Sequence, residues 1–278
     1  MKRLVVFLLV SLSAFVSQAQ DTDSTFVVST LRNASADVLF FARQFMGVPY
    51  VAHTLEVNAT GRERLVVNTR ELDCTTLVEN VVALTLCAKN NERTYDAFKK
   101  YLVKLRYRQG VIKGYPSRLH YFTDWIEDNT KMGIVHEIQQ STVPFSAVQT
   151  VKVNYMSRHS QSYQALKAHP EYVDEIARQE RSLTGRRYRY IPKSMVKNTK
   201  VMRKAVHDGD IIAITCSKPG LDIAHLGFAV WRKDGLHLLN ASQIHKRVVE
   251  EPMTLAKYLG KHSSHTGIRI IRLNDKNI

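Results

Sequence analysis

The order of hydrophobic patterns predicts an α+β fold, with helices packed against one side or end of an antiparallel sheet. Three observations carry this. Helical apolar spacing recurs through residues 34–128, whereas residues 209–273 hold four short runs rich in Ile, Leu and Val. The third observation is a turn signal, Lys233-Asp234-Gly235, between two of those runs, which makes them an antiparallel hairpin.

The elements follow in chain order. Residues 34–46 (ASADVLFFARQFM) have helical spacing and end at Gly47-Val48-Pro49-Tyr50. Residues 63–69, with LVV at the centre, predict a strand. Helices are predicted over 74–88 and 93–107, a short one over 117–128, and a charged one over 158–183. The polar, poorly periodic stretch 130–165 predicts a long surface excursion. Strands are predicted over 209–216, 223–231, 236–242 and 267–273, with a short helix at 252–260 opened by Pro252. No repeat, low-complexity tract or linker divides the 278 residues.

The first residues predict an address rather than structure. Lys2 and Arg3 precede an apolar run over 4–16, and Ser17-Gln18-Ala19 places small residues at −3 and −1 of a cleavage site. This is a signal-peptide pattern over 1–19, leaving one domain over 20–278. The apolar run is shorter than the ~18–20 residues of a spanning helix, and no other segment is apolar enough, so no stable membrane insertion is expected. An exported protein, periplasmic or associated with the cell surface, is the expectation.

Composition is ordinary for a globular chain, 44% hydrophobic and 23% charged, with a formal charge of +15 that falls to +13 without Lys2 and Arg3. Such a chain is drawn to anionic polymers of the envelope. Nucleic acid is excluded as a partner, because the basic residues are scattered and the densest cluster, 181–190, is short.

Three cysteines, an odd number, leave at least one thiol free. Thirteen residues separate Cys74 from Cys87, roughly 20 Å along one helix and beyond disulfide reach. Cys87 and Cys216 lie in apolar runs and read as core residues. Cys74 follows Asp73, a good N-cap, and precedes Leu77, Val78, Val81, Val82 and Leu84 at helical spacing. It therefore takes the first helical position, where the helix dipole favours a thiolate. From that segment alone, a nucleophile and a packed cysteine are equally good readings.

Acyl transfer by a thiol needs a base that later becomes the acid. Among 11 histidines, His225 lies inside an apolar strand, on the face of Gly227, Ala229 and Trp231. Small neighbours would leave room there for the helix end carrying Cys74. A hydrogen-bonded core histidine is the competing reading. Hairpin parity decides its company: an even loop brings Asn240 and Ser242 to its face, an odd one His237, Leu239 and Ala241. In the even case Asn240 would fix the imidazole tautomer. The Cys and His residues do not fall at zinc spacings, so neither metal nor cofactor is expected.

At these residues the chain resembles the NlpC-type, papain-like cell-wall cysteine peptidases. LDCTTLVEN (72–80) resembles their DCSxLV motif and GVPYV (47–51) their G-x-PY segment. GDIIAI (209–214), HLGFAV (225–230) and LLNAS (238–242) are similar to the strand elements that follow. More narrowly, YRQGVIKGYPSRLHYFTDWIEDN (107–129), YMS (155–157) and YIPK (190–193) resemble an exported N-acetylmuramoyl-L-alanine amidase-like branch.

The resemblance implies a papain-like core, an antiparallel sheet packed on an N-terminal helical part, with a large helical insertion at about 89–205. It implies that Cys74 is the nucleophile, His225 the base and Asn240 the orienting residue where relatives carry a second His. Tyr50 matches a tyrosine that lines the family site. Within the insertion Arg118, His120 and Tyr121 are candidate substrate-binding residues, with Arg118 a partner for a stem carboxylate. The expected substrate is a peptidoglycan muropeptide or stem peptide, cut at the lactyl–L-Ala amide. Alternatives are the D-γ-Glu–diamino acid bond, a non-catalytic wall-binding module, and an acyltransferase on the same fold.

Overall fold

The structure, a computed structural model, describes residues 22–56 and 62–275; the signal-like segment lies outside the described residues. A first helix, α1, covers residues 22–31. Helix α2, Val38–Gln44, is capped by Asp37, whose carboxylate accepts from the N–H groups of Leu39 and Phe40. Helix α3, Cys74–Lys89, is buried from Thr76 to Ala88 with no solvated face, as befits a central helix. Helices α4 (Tyr95–Arg106) and α5 (Phe122–Lys131) follow, with α4 packed on α3.

The sheet is antiparallel throughout. Its strands are β1 (Val135–Glu137), β2 (Ala147–Thr150), β3 (Arg187–Pro192), β4 (Ile211–Cys216), β5 (Ile223–Trp231), β6 (Leu236–Ser242), β7 (Arg247–Glu250) and β8 (His265–Leu273). They run in the order β2-β3-β8-β4-β5-β6-β7, and β1 pairs separately with β8. Strand alternation sends Ile211, Phe228, Leu239 and Ile271 to the core under α1–α5. Their neighbours Ile212, Ala229, Leu238 and Ile270 go to a second core, under α9 (Lys200–Ala205) and α10 (Leu255–Gly260). The expectation of helices on one side is thus corrected. Both sheet faces are apolar, so both are covered.

The segment 89–205 is not simply helical either. It contributes α4, α5, α6 (Tyr155–Arg158), α7 (Gln164–Ala168), α8 (Glu171–Leu183) and α9, but also strands β1, β2 and β3. The polar stretch 130–165 therefore reaches the sheet, and it buries Phe145, Val151 and Val153. The helix expected over 158–183 is two, α7 and α8, broken at His169-Pro170 because the residue before proline avoids helical backbone. No strand forms over 62–68. Its carbonyls are taken by side chains instead: Arg106 Nη1 reaches Val66 O at 2.6 Å, Tyr107 Oη Arg64 O at 3.2 Å, and Asn80 Nδ2 Asn68 O at 3.2 Å.

One buried cation ties the long segment to the sheet. Arg269 on β8 is fully buried and grips Glu137 of β1 with Nε at 2.6 Å and Nη2 at 2.9 Å. Its Nη1 donates to Thr123 Oγ1 of α5 at 2.8 Å, and its guanidinium lies 3.9 Å from the Tyr188 ring of β3. A bidentate, stacked arginine suits such a position, since all its donors find partners.

Candidate active site

Asp73 caps α3 as its sequence suggests. Its Oδ1 accepts from Thr76 N at 2.8 Å, and Asp73 N donates back to Thr76 Oγ1 at 2.9 Å, closing a capping box. Cys74 is consequently the first residue of α3, half-buried, with a free thiol. The N–H of Leu226 on β5 hydrogen-bonds its sulfur, so the helix start meets the strand one residue from His225.

The β5–β6 register settles the parity. Trp231 pairs with Leu236 and Phe228 with Leu239, so the loop has four residues and His225 shares a face with Asn240. His225 Nε2 lies 2.9 Å from Asn240 Oδ1. An amide oxygen only accepts, so Nε2 carries the proton and Nδ1 keeps the lone pair. Asn240 is fully buried, and its Nδ2 donates to Glu251 Oε1 at 3.2 Å. The room expected beside His225 for a helix end is occupied otherwise. A Cβ on Gly227 would lie 2.6 Å from Leu239 O and 2.8 Å from Leu238 Cδ1, and the Tyr258 ring of α10 stacks 6.4 Å from His225.

Cys74 and His225 line one cavity of about 520 Å³, together with Tyr50, Glu79, Arg118 and His120. That is an ordinary size for a ligand site. Burial and the Asp73 charge push the Cys74 thiol up to about 12, against the lowering effect of the Leu226 and Cys74 N–H groups. Burial and Asp73 thus work against the thiolate that the helix start favours. Burial also holds His225 below the ordinary imidazole value, opposed by Asn240 and the Glu251 charge. Tyr258 is raised to about 12 by burial and by the charges of Glu251 and Cys74.

The remaining expected residues line the same cavity but are already engaged. Arg118 binds Glu63 through Nε at 3.1 Å and Nη2 at 2.9 Å, and Glu56 through Nη1 at 2.7 Å. A substrate carboxylate would have to displace one of them. His120 Nε2 faces Tyr115 O at 3.0 Å, and burial beside Arg118 pushes its pKa down to about 3. Tyr121 Oη donates to Glu180 at 2.6 Å and accepts from Met156 N, pinning the start of α6. Tyr50 is half-buried; its N–H donates to Lys246 O at 2.9 Å, and burial near Cys74 raises its hydroxyl. Glu251 and Tyr258 were not legible in the sequence. Among the described residues no group of three or more His, Cys, Asp or Glu side chains is placed to hold a metal ion.

Residues 40–268 match the model of the AmiA-like family, described as N-acetylmuramoyl-L-alanine amidase-like. The chain belongs to that family. Two crystal structures of a Bacteroides uniformis protein, named an N-acetylmuramoyl-L-alanine amidase, share 40% identity with it. They cover 86% of this chain and 97% and 100% of their own, with TM-scores of 0.79 and 0.80. A Bacteroides fragilis structure provisionally named a xylanase shares 38% identity over 84% of this chain and 98% of its own, with a TM-score of 0.77. None of the curated proteins matches the chain. Membership of the AmiA-like family indicates a cell-wall hydrolase of the amidase type.

Proposed function

We propose that this AmiA-like protein is an exported cysteine hydrolase with a papain-like, NlpC-type core, and that it cuts the lactyl–L-Ala amide of peptidoglycan. The carrying observation is Cys74 at a helix start and His225, oriented by Asn240, on one cavity. Burial favours the uncharged thiol–imidazole pair over a thiolate–imidazolium pair. His225 Nδ1 therefore takes the thiol proton as the sulfur–carbon bond forms. The N–H of Cys74, which has no intrahelical acceptor at the helix start, stabilises the oxyanion. His225 returns the proton to the leaving L-Ala nitrogen as the carbon–nitrogen bond breaks. Water, deprotonated by His225, then splits the thioester, freeing the lactyl carboxylate and the Cys74 thiol.

Charge favours this bond over the D-γ-Glu–diamino acid bond. A γ-linked D-Glu carries a free α-carboxylate on the acyl side of the scissile amide, at the far end of its side chain, whereas the lactyl group is neutral. Four carboxylates line the cavity, Glu56, Asp73, Glu79 and Asp222, against two arginines, Arg106 and Arg118. Both arginines are paired, Arg106 Nε lying 2.7 Å from Glu79. Glycoside hydrolysis would need two carboxylates free to act as acid and base. Here Asp73 caps α3, Glu79 and Glu56 hold arginines, and Asp222 accepts from Thr123 N at 2.8 Å.

The test is product analysis on purified muropeptides with the parent and Cys74→Ala. Free stem peptide beginning with L-Ala is expected from the parent alone. An L-Ala–D-Glu fragment left on the sugar would identify the endopeptidase instead, and cleavage by Cys74→Ala at the parent rate would overturn the mechanism.

A further inference from the structure

A carboxylate lies buried directly behind Asn240 and lines no part of the cavity. Glu251 follows β7 and is 1% exposed. Its backbone is fixed at both ends: its N–H donates to Leu238 O at 2.8 Å, and its carbonyl accepts from His237 Nδ1 at 2.8 Å. Its Oε1 accepts from Asn240 Nδ2 at 3.2 Å, and its Oε2 faces Nε2 of the half-exposed His245 at 3.2 Å. A buried carboxylate is costly unless its partners are fixed, and here the innermost partner is an amide that itself touches His225.

An asparagine amide can sit either way round in the same shape. Turned over, Asn240 would aim its oxygen at the Glu251 carboxylate, placing two acceptors face to face. It would also aim N–H at His225 Nε2, which would then have to hold a lone pair and leave its proton on Nδ1. That tautomer cannot take the Cys74 proton. Glu251 excludes it by repulsion on one side and a charge-assisted hydrogen bond on the other.

We propose that Glu251 is a positioning residue: its carboxylate fixes the orientation of Asn240, and through it the Nε2–H tautomer of His225. The inference rests on the cysteine-hydrolase reading above for its effect on rate, but the tautomer can be measured without substrate. Other groups also face His225. They are Asp73, the N-cap of α3, Tyr258 and His262 from α10 and its following turn, and His265 from β8, while Cys74 lines the same cavity. Of the charged ones, Glu251 and Asp73 favour the imidazolium and His262 opposes it.

The experiment compares the full chain with Glu251→Leu and Glu251→Gln. Two-bond proton–nitrogen NMR of histidine-labelled protein, assigned with His225→Gln, reads the tautomer. The parent is expected as Nε2–H and Glu251→Leu as a mixture. Turnover of muropeptide by Glu251→Leu should drop in kcat by roughly 10- to 100-fold with KM nearly unchanged, less than the ~10⁴-fold of a fully wrong tautomer. In Glu251→Gln the amide oxygen still accepts from Asn240, so most of that loss in kcat is recovered. The acid limb of its kcat/KM profile moves to lower pH, because a charge that stabilised the imidazolium is gone. That limb reports the charge of Glu251, and the tautomer reports its hold on Asn240. Glu251→Leu retaining the Nε2–H tautomer and parental kcat overturns the proposal. If Glu251→Leu does not fold, Glu251→Ala is read in the same way, and an unchanged Nε2–H tautomer with parental kcat overturns it. Activity surviving in Cys74→Ala would sink the hydrolase reading, while the tautomer measurement would still decide the role of Glu251.

Discussion

At the scale of single residues, the proposed nucleophile and base are both held uncharged. The thiol of Cys74 is raised to about 12 and the imidazole of His225 is lowered, in both cases chiefly by burial. Alkylation of Cys74 by iodoacetamide should therefore be slow at mildly acidic and neutral pH and should climb as pH rises above neutrality. A reactive plateau near pH 5 would instead reveal a preformed ion pair. Turnover needs neutral His225, whose pKa lies below the usual value. So kcat/KM should hold through neutral and mildly acidic pH, and fall only at lower pH as the ring gains its proton. Cys74 and Asp73 were legible from sequence because a cap and its helix are local. The pairing of Arg118 was not legible, because the carboxylates that occupy it lie 55 and 62 positions away. Glu251 was hidden for a different reason, since its partners Asn240 and His245 are near in sequence: Glu250-Glu251-Pro252 reads as solvated until β6 and β7 are folded together.

At the scale of elements, the β5–β6 hairpin carries the site. Its two strands match the expected spans, since alternation and a turn signal are enough to fix a central hairpin. Gly227 sits where the strands approach most closely, and a methyl there would strike Leu239 O at 2.6 Å. Gly227→Ala is expected to force β5 away from β6, destabilise the protein by about 1–3 kcal/mol and separate His225 from Asn240. A denaturation midpoint and muropeptide turnover check this together; an unchanged midpoint with full activity would show that the strands yield freely. The strands that sequence missed, β1, β2, β3 and β7, are short. For the first three, the partner lies far along the chain; β1, β2 and β7, of three or four residues, also have too little alternation to be seen, and the six-residue β3 is arginine- and tyrosine-rich where a buried strand would be apolar. The apolar triplet over 65–67 misled in the opposite sense, because its carbonyls bond to side chains.

At the scale of the whole molecule, the long segment between the motif halves is structural as well as cavity-forming. Arg269→Met removes a fully buried cation from Glu137, Thr123 and Tyr188 and leaves Glu137 buried without its partner. A loss of about 3–5 kcal/mol is expected by chemical denaturation, far more than a surface arginine would cost. A loss under about 1 kcal/mol would mean that β1 and α5 are anchored without it. Acid should loosen the fold through two histidines that fold neutral, His120 lowered to about 3 and His265 to about 4. Both are depressed from an ordinary value of 6.5, so their contribution is complete above that pH and drains away as pH falls toward 3. The midpoint of thermal unfolding should drop over that window, and less steeply in a His120→Gln, His265→Gln double variant.

The ion pairs around the cavity have a bearing on the fate of the acyl group. Arg106 with Glu79, and Arg118 with Glu56 and Glu63, line or back a chamber that also holds Asp73 and Asp222. Such walls hydrate. A thioester formed on Cys74 would sit against ordered solvent instead of a dry slot, and the second half-reaction would find its nucleophile already in the room. On the proposed mechanism, an acyl-enzyme so placed would pass its acyl group to water before a second amine or alcohol could claim it.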